Sequence, residues 1–315
     1  MDVSSLVERI LRSDRRAVAR AISMVEDGAD GLADLSAGLY PHTGNAYTVG
    51  LTGSPGVGKS SLAAELVRAA RGHDLSVAVL AIDPTSPFTG GALLGDRLRM
   101  QSHATDPGVF IRSMATRGHL GGMALAAPEA IRILDASGKQ LVIVETVGVG
   151  QAEVEVANAT DTTLVVVSPG WGDAVQVVKA GILEIADVFV VNKADRDGAV
   201  EASRDIQAMI RMGPKLEWTP PVVKTSAVSS EGIDELWDAI RSHRSHQESA
   251  GALEEKRRRR IVEEVKRIVG YRLEDHAAGF LSDGPLLEDL AEHRVDPYGA
   301  AAQAVERILS GDRDA

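Results

Sequence analysis

Eight consecutive residues, Gly53-Ser54-Pro55-Gly56-Val57-Gly58-Lys59-Ser60, combine closely spaced glycines with an ammonium and a hydroxyl. Polyphosphate chemistry needs this combination. Glycines let a loop curl so that successive backbone N–H groups face the phosphate oxygens. Gly53, Ser54, Pro55, Gly56, Val57 and Gly58 supply that cradle, and Ser61 opens the helix behind it. Lys59 reaches the β- and γ-phosphates, and the Ser60 hydroxyl ligates Mg²⁺. A second set, Asn192-Lys193-Ala194-Asp195, follows the apolar run Val188 to Val191. The Asp195 carboxylate can accept from guanine N1–H and the 2-amino group. Adenine offers neither donor and leaves the acid unpaired, at a cost of about 1–3 kcal/mol. Asn192 supports this loop and meets the base, while the Lys193 stem covers the ring face. Ser226, Ala227 and Val228 follow the next apolar run and can close the base pocket through backbone N–H groups.

Acidic residues stand where a metal needs them. Glu145 ends the buried run Leu141 to Val144, the position that holds Mg²⁺ directly or through water. Gly148, just beyond, lets a backbone N–H approach the γ-phosphate. Asp83 ends another apolar run, and the Pro/Thr/Ser/Gly segment from there to Asp96 reads as a loop able to order around metal and phosphate. Asp83 and Asp96 are candidates for metal shell or water positioning, although Asp96 could equally cap a helix at 96–104. Lys59, Asp83 and Glu145 make the expected catalytic set, with Gln151 a further candidate for positioning water. Trp171 lies between Gly170 and Gly172 and reads either as a hinged exposed aromatic or as a buried anchor of the following helix. Lys256-Arg257-Arg258-Arg259-Arg260 is flanked by glutamates at i,i+4 spacing and reads as a solvated helix face. The eight histidines do not cluster, so no histidine metal site is expected.

These residues need a scaffold that brings strand ends together. Apolar β-branched runs at 46–51, 76–82, 109–113, 141–145, 162–168, 187–192 and 221–225 predict strands. Helical patterns lie between them at 60–72, 90–104, 122–137, 173–185, 199–212 and 232–243. This alternation predicts an α/β fold, a doubly wound, mostly parallel sheet with both faces covered. Residues 1–45 read as an N-terminal helical segment in which Ser13-Asp14 caps a second helix. Residues 46–245 form the nucleotide domain, and the polar stretch 242–247 reads as a linker. Residues 246–315 form a helical extension, with one helix at 251–272 and another over 286–310. The apolar positions Leu253, Ile261, Val262, Val265, Ile268 and Val269 have no sheet to cover, which predicts a homodimer contact.

Composition narrows the partners. The formal net charge of −11 argues against nucleic acid and against an anionic membrane surface. With no cysteine, disulfides, zinc–thiolate sites and thiol catalysis are excluded. The first residues lack the basic start and apolar run of a secretory signal, and no stretch of 18 apolar residues exists, so a cytoplasmic protein is expected.

Taken together, the phosphate loop, Asp83-Pro84-Thr85-Ser86-Pro87, Glu145-Thr146-Val147-Gly148-Val149-Gly150-Gln151 and Asn192-Lys193-Ala194-Asp195 resemble the MeaB/ArgK-type GTPases of the SIMIBI class. That family includes the human methylmalonic-aciduria type A protein, and the resemblance covers nearly the whole chain. It implies GTP or GDP with Mg²⁺ as cofactors and a chaperone role for an adenosylcobalamin-dependent acyl-CoA mutase, chiefly methylmalonyl-CoA mutase; slow hydrolysis is expected because no residue in the phosphate loop or after Glu145 supplies an arginine finger. It also implies a homodimer built through the C-terminal extension, and acidic switch positions at Asp83, Asp96 and Glu145. A third switch is implied over Ser168 to Lys179, with Trp171, Asp173 and Lys179 on the partner side. Two other roles fit a class member: a GTP-dependent metallochaperone, and a kinase or ATPase assisting transport of basic amino acids. Absence of cysteine and of a histidine cluster opposes the first, and the guanine-reading Asp195 opposes the second.

Overall fold

A computed structural model describes residues 2–84, 103, 105–116, 123–146, 151–170, 182–214, 217–282 and 285–310. The chain divides into two compact units, residues 1–260 and 261–315. The first opens with helices α1 (Val3–Leu11), α2 (Arg15–Asp27) and α3 (Leu32–Leu39). An aspartate side chain starts each of the first two by accepting from the free N–H groups of the first turn. Asp2 accepts from Ser4 N at 3.0 Å, and Asp14 accepts from Arg16 N at 2.9 Å and Ala17 N at 3.2 Å. The expected cap at Asp14 is present.

Strands and helices then alternate: β1 (Tyr47–Thr52), α4 (Lys59–Gly72), β2 (Val77–Pro84), β3 (Val109–Thr116), α5 (Met123–Ala136), β4 (Leu141–Thr146) and α6 (Gln151–Ala159). They continue with β5 (Thr162–Val167), α7 (Ile182–Ile185), β6 (Val188–Val191), α8 (Ala199–Met212), β7 (Val222–Lys224) and α9 (Ile233–Ser249). The seven strands form one sheet in the order β3-β2-β4-β1-β5-β6-β7, and every neighbouring pair is parallel. The expected α/β architecture is therefore present, wholly rather than mostly parallel. The winding reverses around β1, so the loop leaving β1 sits at the switch point where α/β sheets bind ligands.

Period-two alternation covers both faces. Ala78, Leu80, Ile82, Val142 and Val144 join a core with α1, α2, α3 and α5. Val77, Val79, Leu141 and Ile143 join another with α4 and α9. Each large apolar side chain removed from water in these layers contributes about 1.5–3 kcal/mol. They fix the strand ends that carry the polar chemistry.

Several expectations fail locally. The stretch 242–247 is not a linker but the last turns of α9, because His243 and Gln247 are buried at 2% and 6% exposure. Their polar groups are satisfied by tertiary partners that no local pattern reveals. Helix α6 was not expected; its sequence, QAEVEVANA, alternates polar and apolar residues in its first half and lacks a strong helical stripe. The helix beginning near 251 is longer than its pattern, running as α10 (Ala252–Ser282), and the final stretch is two helices, α11 (Pro285–Ala291) and α12 (Pro297–Ser310). Within residues 261–315, Leu286, Ala300 and Ala304 make a small core of their own. In the same unit Ile261, Val262, Val265, Ile268 and Val269 remain 37–53% exposed. The helix expected at 90–104 and most of that at 173–185 lie outside the described residues. No helix among the described residues is long and apolar enough to cross a membrane.

Candidate functional site

Strand β1 ends at Thr52, and the phosphate loop occupies the turn between it and α4. Gly53 has φ +134, and a Cβ there would run into the Val166 carbonyl of β5. Gly58 has φ +97, and a Cβ there would run into the Asn192 side-chain amide. Only glycine fits either position, since L side chains avoid this φ region and neither neighbour can yield. Lys59 is buried at 5% exposure, and its Nζ donates to Gly53 O at 2.6 Å and Ser54 O at 3.1 Å. The ammonium is thus held under the loop whose N–H groups it complements. Val57 is buried at 2% exposure and anchors the loop to the core, whereas Pro55 and Gly56 are exposed.

Glu145 enters from β4. Its register opposite Leu51 of β1 brings it to the base of the phosphate loop. Ser60 Oγ donates to Glu145 Oε1 at 2.6 Å, and both residues are buried. This buried hydroxyl–carboxylate pair presents the hard oxygen donors that suit Mg²⁺, which takes few protein ligands and completes its shell with water and phosphate. Among the described residues no three His, Asp or Glu side chains converge on a metal position. Asp83 lies at the same end of the sheet, next to last in β2 and paired in register with Ala115. Ser61, the third residue of α4, is half-buried. Asp96, Gly148, Trp171, Asp173 and Lys179 lie outside the described residues, and Gln151 is the first residue of α6.

The base-reading loop follows β6 and is tied to the phosphate loop. Asn192 is buried at 1% exposure, and its Nδ2 donates to Val57 O at 2.8 Å. Lys193, at φ +60, donates from Nζ to Gly56 O at 2.5 Å. Ser226 Oγ donates to Asp195 Oδ1 at 2.7 Å, which together with a backbone N–H holds that carboxyl below its ordinary pKa. Ala227 N donates to Asn192 Oδ1 at 3.3 Å, and Val228 is 92% exposed. Thr225, which the motif reading missed, donates from Oγ1 to Asn192 Oδ1 at 3.2 Å. Its position directly before Ser226 was the available signal. Asn192 therefore binds both loops, and the two sets singled out by residue type meet at one end of the sheet.

The opposite end of the same strands is closed. Asp161, fully buried before β5, accepts from Thr48 N at 3.0 Å and from Arg257 Nη2 at 2.7 Å, and Arg260 Nη2 approaches at 3.3 Å. Burial pushes its carboxyl up, but the Arg257 hydrogen bond and the charges of Arg260 and Arg257 outweigh it and leave the pKa lowered. Lys256 Nζ donates to Asp161 O at 2.8 Å and pairs with Asp187 at 3.5 Å. The basic run is thus not a solvated face: three of its five residues grip the core, while Arg259 makes an expected i,i+4 pair, with Glu255 at 3.6 Å. Next to it Thr162 Oγ1 lies 2.6 Å from Tyr47 OH and 2.8 Å from His243 Nδ1, and His243 Nε2 is 3.3 Å from Asp187 Oδ1. Burial lowers the His243 pKa to about 4 despite Asp187.

Residues 18–280 match the family described as "Methylmalonyl Co-A mutase-associated GTPase MeaB". A putative GTPase of Pyrococcus abyssi is 49% identical, with 98% of each chain covered. The mitochondrial methylmalonic aciduria type A homolog of Caenorhabditis briggsae is 35% identical over 93% of this chain and 75% of its own. Among solved structures, one titled a LAO/AO transport system kinase superposes with a TM-score of 0.73 at 26% identity, covering 98% of this chain and 97% of that one.

Proposed function

This chain belongs to the MeaB family of methylmalonyl-CoA mutase-associated GTPases, and from that premise we propose that it is a GTP-switched chaperone of an adenosylcobalamin-dependent acyl-CoA mutase. In this role it gates delivery of intact cofactor and protects the mutase. The observation that carries the reading is the family match over residues 18–280, on a chain whose phosphate-binding and base-reading loops share one hydrogen-bonded unit. The chain is a GTPase, and its residues divide the work as follows in this proposal. The Gly53 to Ser61 turn binds the phosphates, with Lys59 on the β- and γ-oxygens. Ser60 and Glu145 hold Mg²⁺, which supplies charge neutralisation on the phosphates when bound. Asp83 and Asp96 complete the metal shell or orient water, and Gly148 contributes a backbone N–H. Asn192, Lys193, Asp195, Ser226, Ala227 and Val228 bind guanine.

Nucleotide state passes to the mutase through Trp171, Asp173 and Lys179. Residues 1–45 brace the GTPase domain 46–245, and the extension 246–315 forms a homodimer in which the exposed stripe Ile261 to Val269 is covered. The proposed location is the cytoplasm, with no nucleic-acid or membrane partner. The deciding experiment is GTP turnover with and without the B12-dependent mutase of the same organism, for wild type and for Asp173→Ala and Lys179→Ala. Stimulation of the wild type that both variants lose supports the reading. No stimulation by any B12-dependent mutase removes the chaperone role while leaving the GTPase intact.

A further inference from the structure

At the corner of the sheet where β2 and β3 begin, three cations gather around Gly108 and Val109. Lys139, in the turn before β4, donates from Nζ to Gly108 O at 3.2 Å. Arg15, in the first turn of α2, donates from Nη1 to Val109 O at 2.7 Å and lies over the Phe110 ring at 5.7 Å. Arg71, at the end of α4, donates from Nη1 to Leu75 O at 3.0 Å and from Nε to Asp106 Oδ2 at 2.8 Å. Its guanidinium lies directly over Gly108, where a Cβ would sit 2.5 Å from Arg71 Cζ. Three separate elements thus deliver positive charge to one spot, and a glycine makes room for it.

The carbonyls orient these cations but do not neutralise them. The acids facing the cluster are Asp106, already bonded to Arg71, and the turn residue Asp74, which acts on Arg71 through space. His103 acts on Asp106 through space. Among the described residues three cations therefore share two carboxylates, in a chain where acids outnumber Lys and Arg by 45 to 34. The half-buried Lys139 ammonium is held below its ordinary pKa, first by burial and then by Arg15 and Arg71. Like charges kept this close are disfavoured unless an anion completes the set.

We propose that Arg15, Arg71 and Lys139 form a binding site for a phosphate-type oxyanion, separate from the nucleotide site. Separation follows from topology: the cluster lies at the N-terminal end of the sheet and the nucleotide loops at its C-terminal end, roughly 20 Å away along a strand. Arginine forks and an ammonium on a buried stem match a tetrahedral dianion, with spare N–H groups left after the carbonyl bonds. The ligand class is a small phosphorylated molecule or free phosphate.

The test uses the full chain saturated with GDP, so that the phosphate loop is filled, and titrates in inorganic phosphate against sodium chloride of equal ionic strength. Calorimetry should show one additional phosphate site, weakened about tenfold or more in Lys139→Met and in Arg15→Gln. GDP affinity should stay the same in both variants. In the wild type, NMR of the Lys139 ammonium should show its pKa rising toward the ordinary lysine value as phosphate is added. A phosphomonoester that binds at least about tenfold tighter than phosphate identifies a small-molecule ligand, and equal affinity identifies free phosphate. No saturable phosphate binding beyond the chloride control, or an unmoved Lys139 titration, overturns the site.

Discussion

The two ends of the parallel sheet use the same strands for opposite purposes. At the C-terminal end, β1 and β6 lead into glycine-bearing turns, and Lys59, Asn192 and Lys193 bond to loop carbonyls. These bonds fix the shape of the turn between β1 and α4. At the N-terminal end, Thr48 bonds to Asp161, and Asp161, Thr162 and Asp187 bond to α9 and α10 side chains, so these polar groups satisfy each other. Parallel strands direct every crossover the same way, so one end gathers the strand-to-helix loops and the other the shorter helix-to-strand turns. The lesson is that the open end should control chemistry with little effect on stability, and the closed end the reverse.

That contrast breaks most sharply at Asp161. Replacing it with Ala strands Arg257 and Arg260 without their carboxylate, so the loss should be about 3–5 kcal/mol. Urea unfolding of Asp161→Ala measures it, and nucleotide affinity of the remaining folded protein should be near wild type. A change under about 1 kcal/mol would mean the clasp is worth no more than a surface pair. At the other end, Lys59→Ala should reduce GTP hydrolysis roughly 10²–10³-fold while the unfolding midpoint barely moves. Single-turnover assays beside thermal melts show whether activity and stability separate here as expected.

Asp195→Asn should weaken GTP binding by about 1–3 kcal/mol, because a donor then faces guanine donors. The same variant should gain affinity for xanthosine triphosphate, which presents an acceptor there. Competition with both nucleotides checks it, and unchanged GTP affinity would detach Asp195 from base reading. The smallest effect concerns pH. His243 titrates at about 4 in the fold, against 6.5 when unfolded, so the unfolded chain binds more protons between those values. Stability from this group is complete above pH 6.5 and falls as pH drops toward 4, by on the order of 1–3 kcal/mol. Urea midpoints for wild type and His243→Gln at neutral pH and near pH 5 isolate the term, since the variant should lose less on acidification.

Legibility followed the range of the interactions. The phosphate loop is eight contiguous residues whose backbone demands are local, so Gly53 and Gly58 announce themselves by type. Strands buried on both faces read as unbroken Val/Ile/Leu runs, and all seven were legible within a few residues. Helix α6 was missed because an Ala- and Val-rich segment can serve either element. Lys256, Arg257 and Arg260 were misread for a different reason. Their glutamate neighbours stand at ideal helical spacing, whereas the real partner, Asp161, lies 96 residues before Arg257.

The sequence by itself determined the architecture and which residue types stand at the open end. Periodicity selects the elements, and glycines, Lys59 and Asp195 carry their roles wherever the strand ends fall. Only the tertiary structure decided that Asn192 joins both loops, that Ser226 orients Asp195, and that a polar segment around His243 belongs inside a helix. Those outcomes rest on pairs separated by tens to hundreds of residues, and the energy of a buried polar group depends on which partner the fold delivers rather than on its neighbours in the chain.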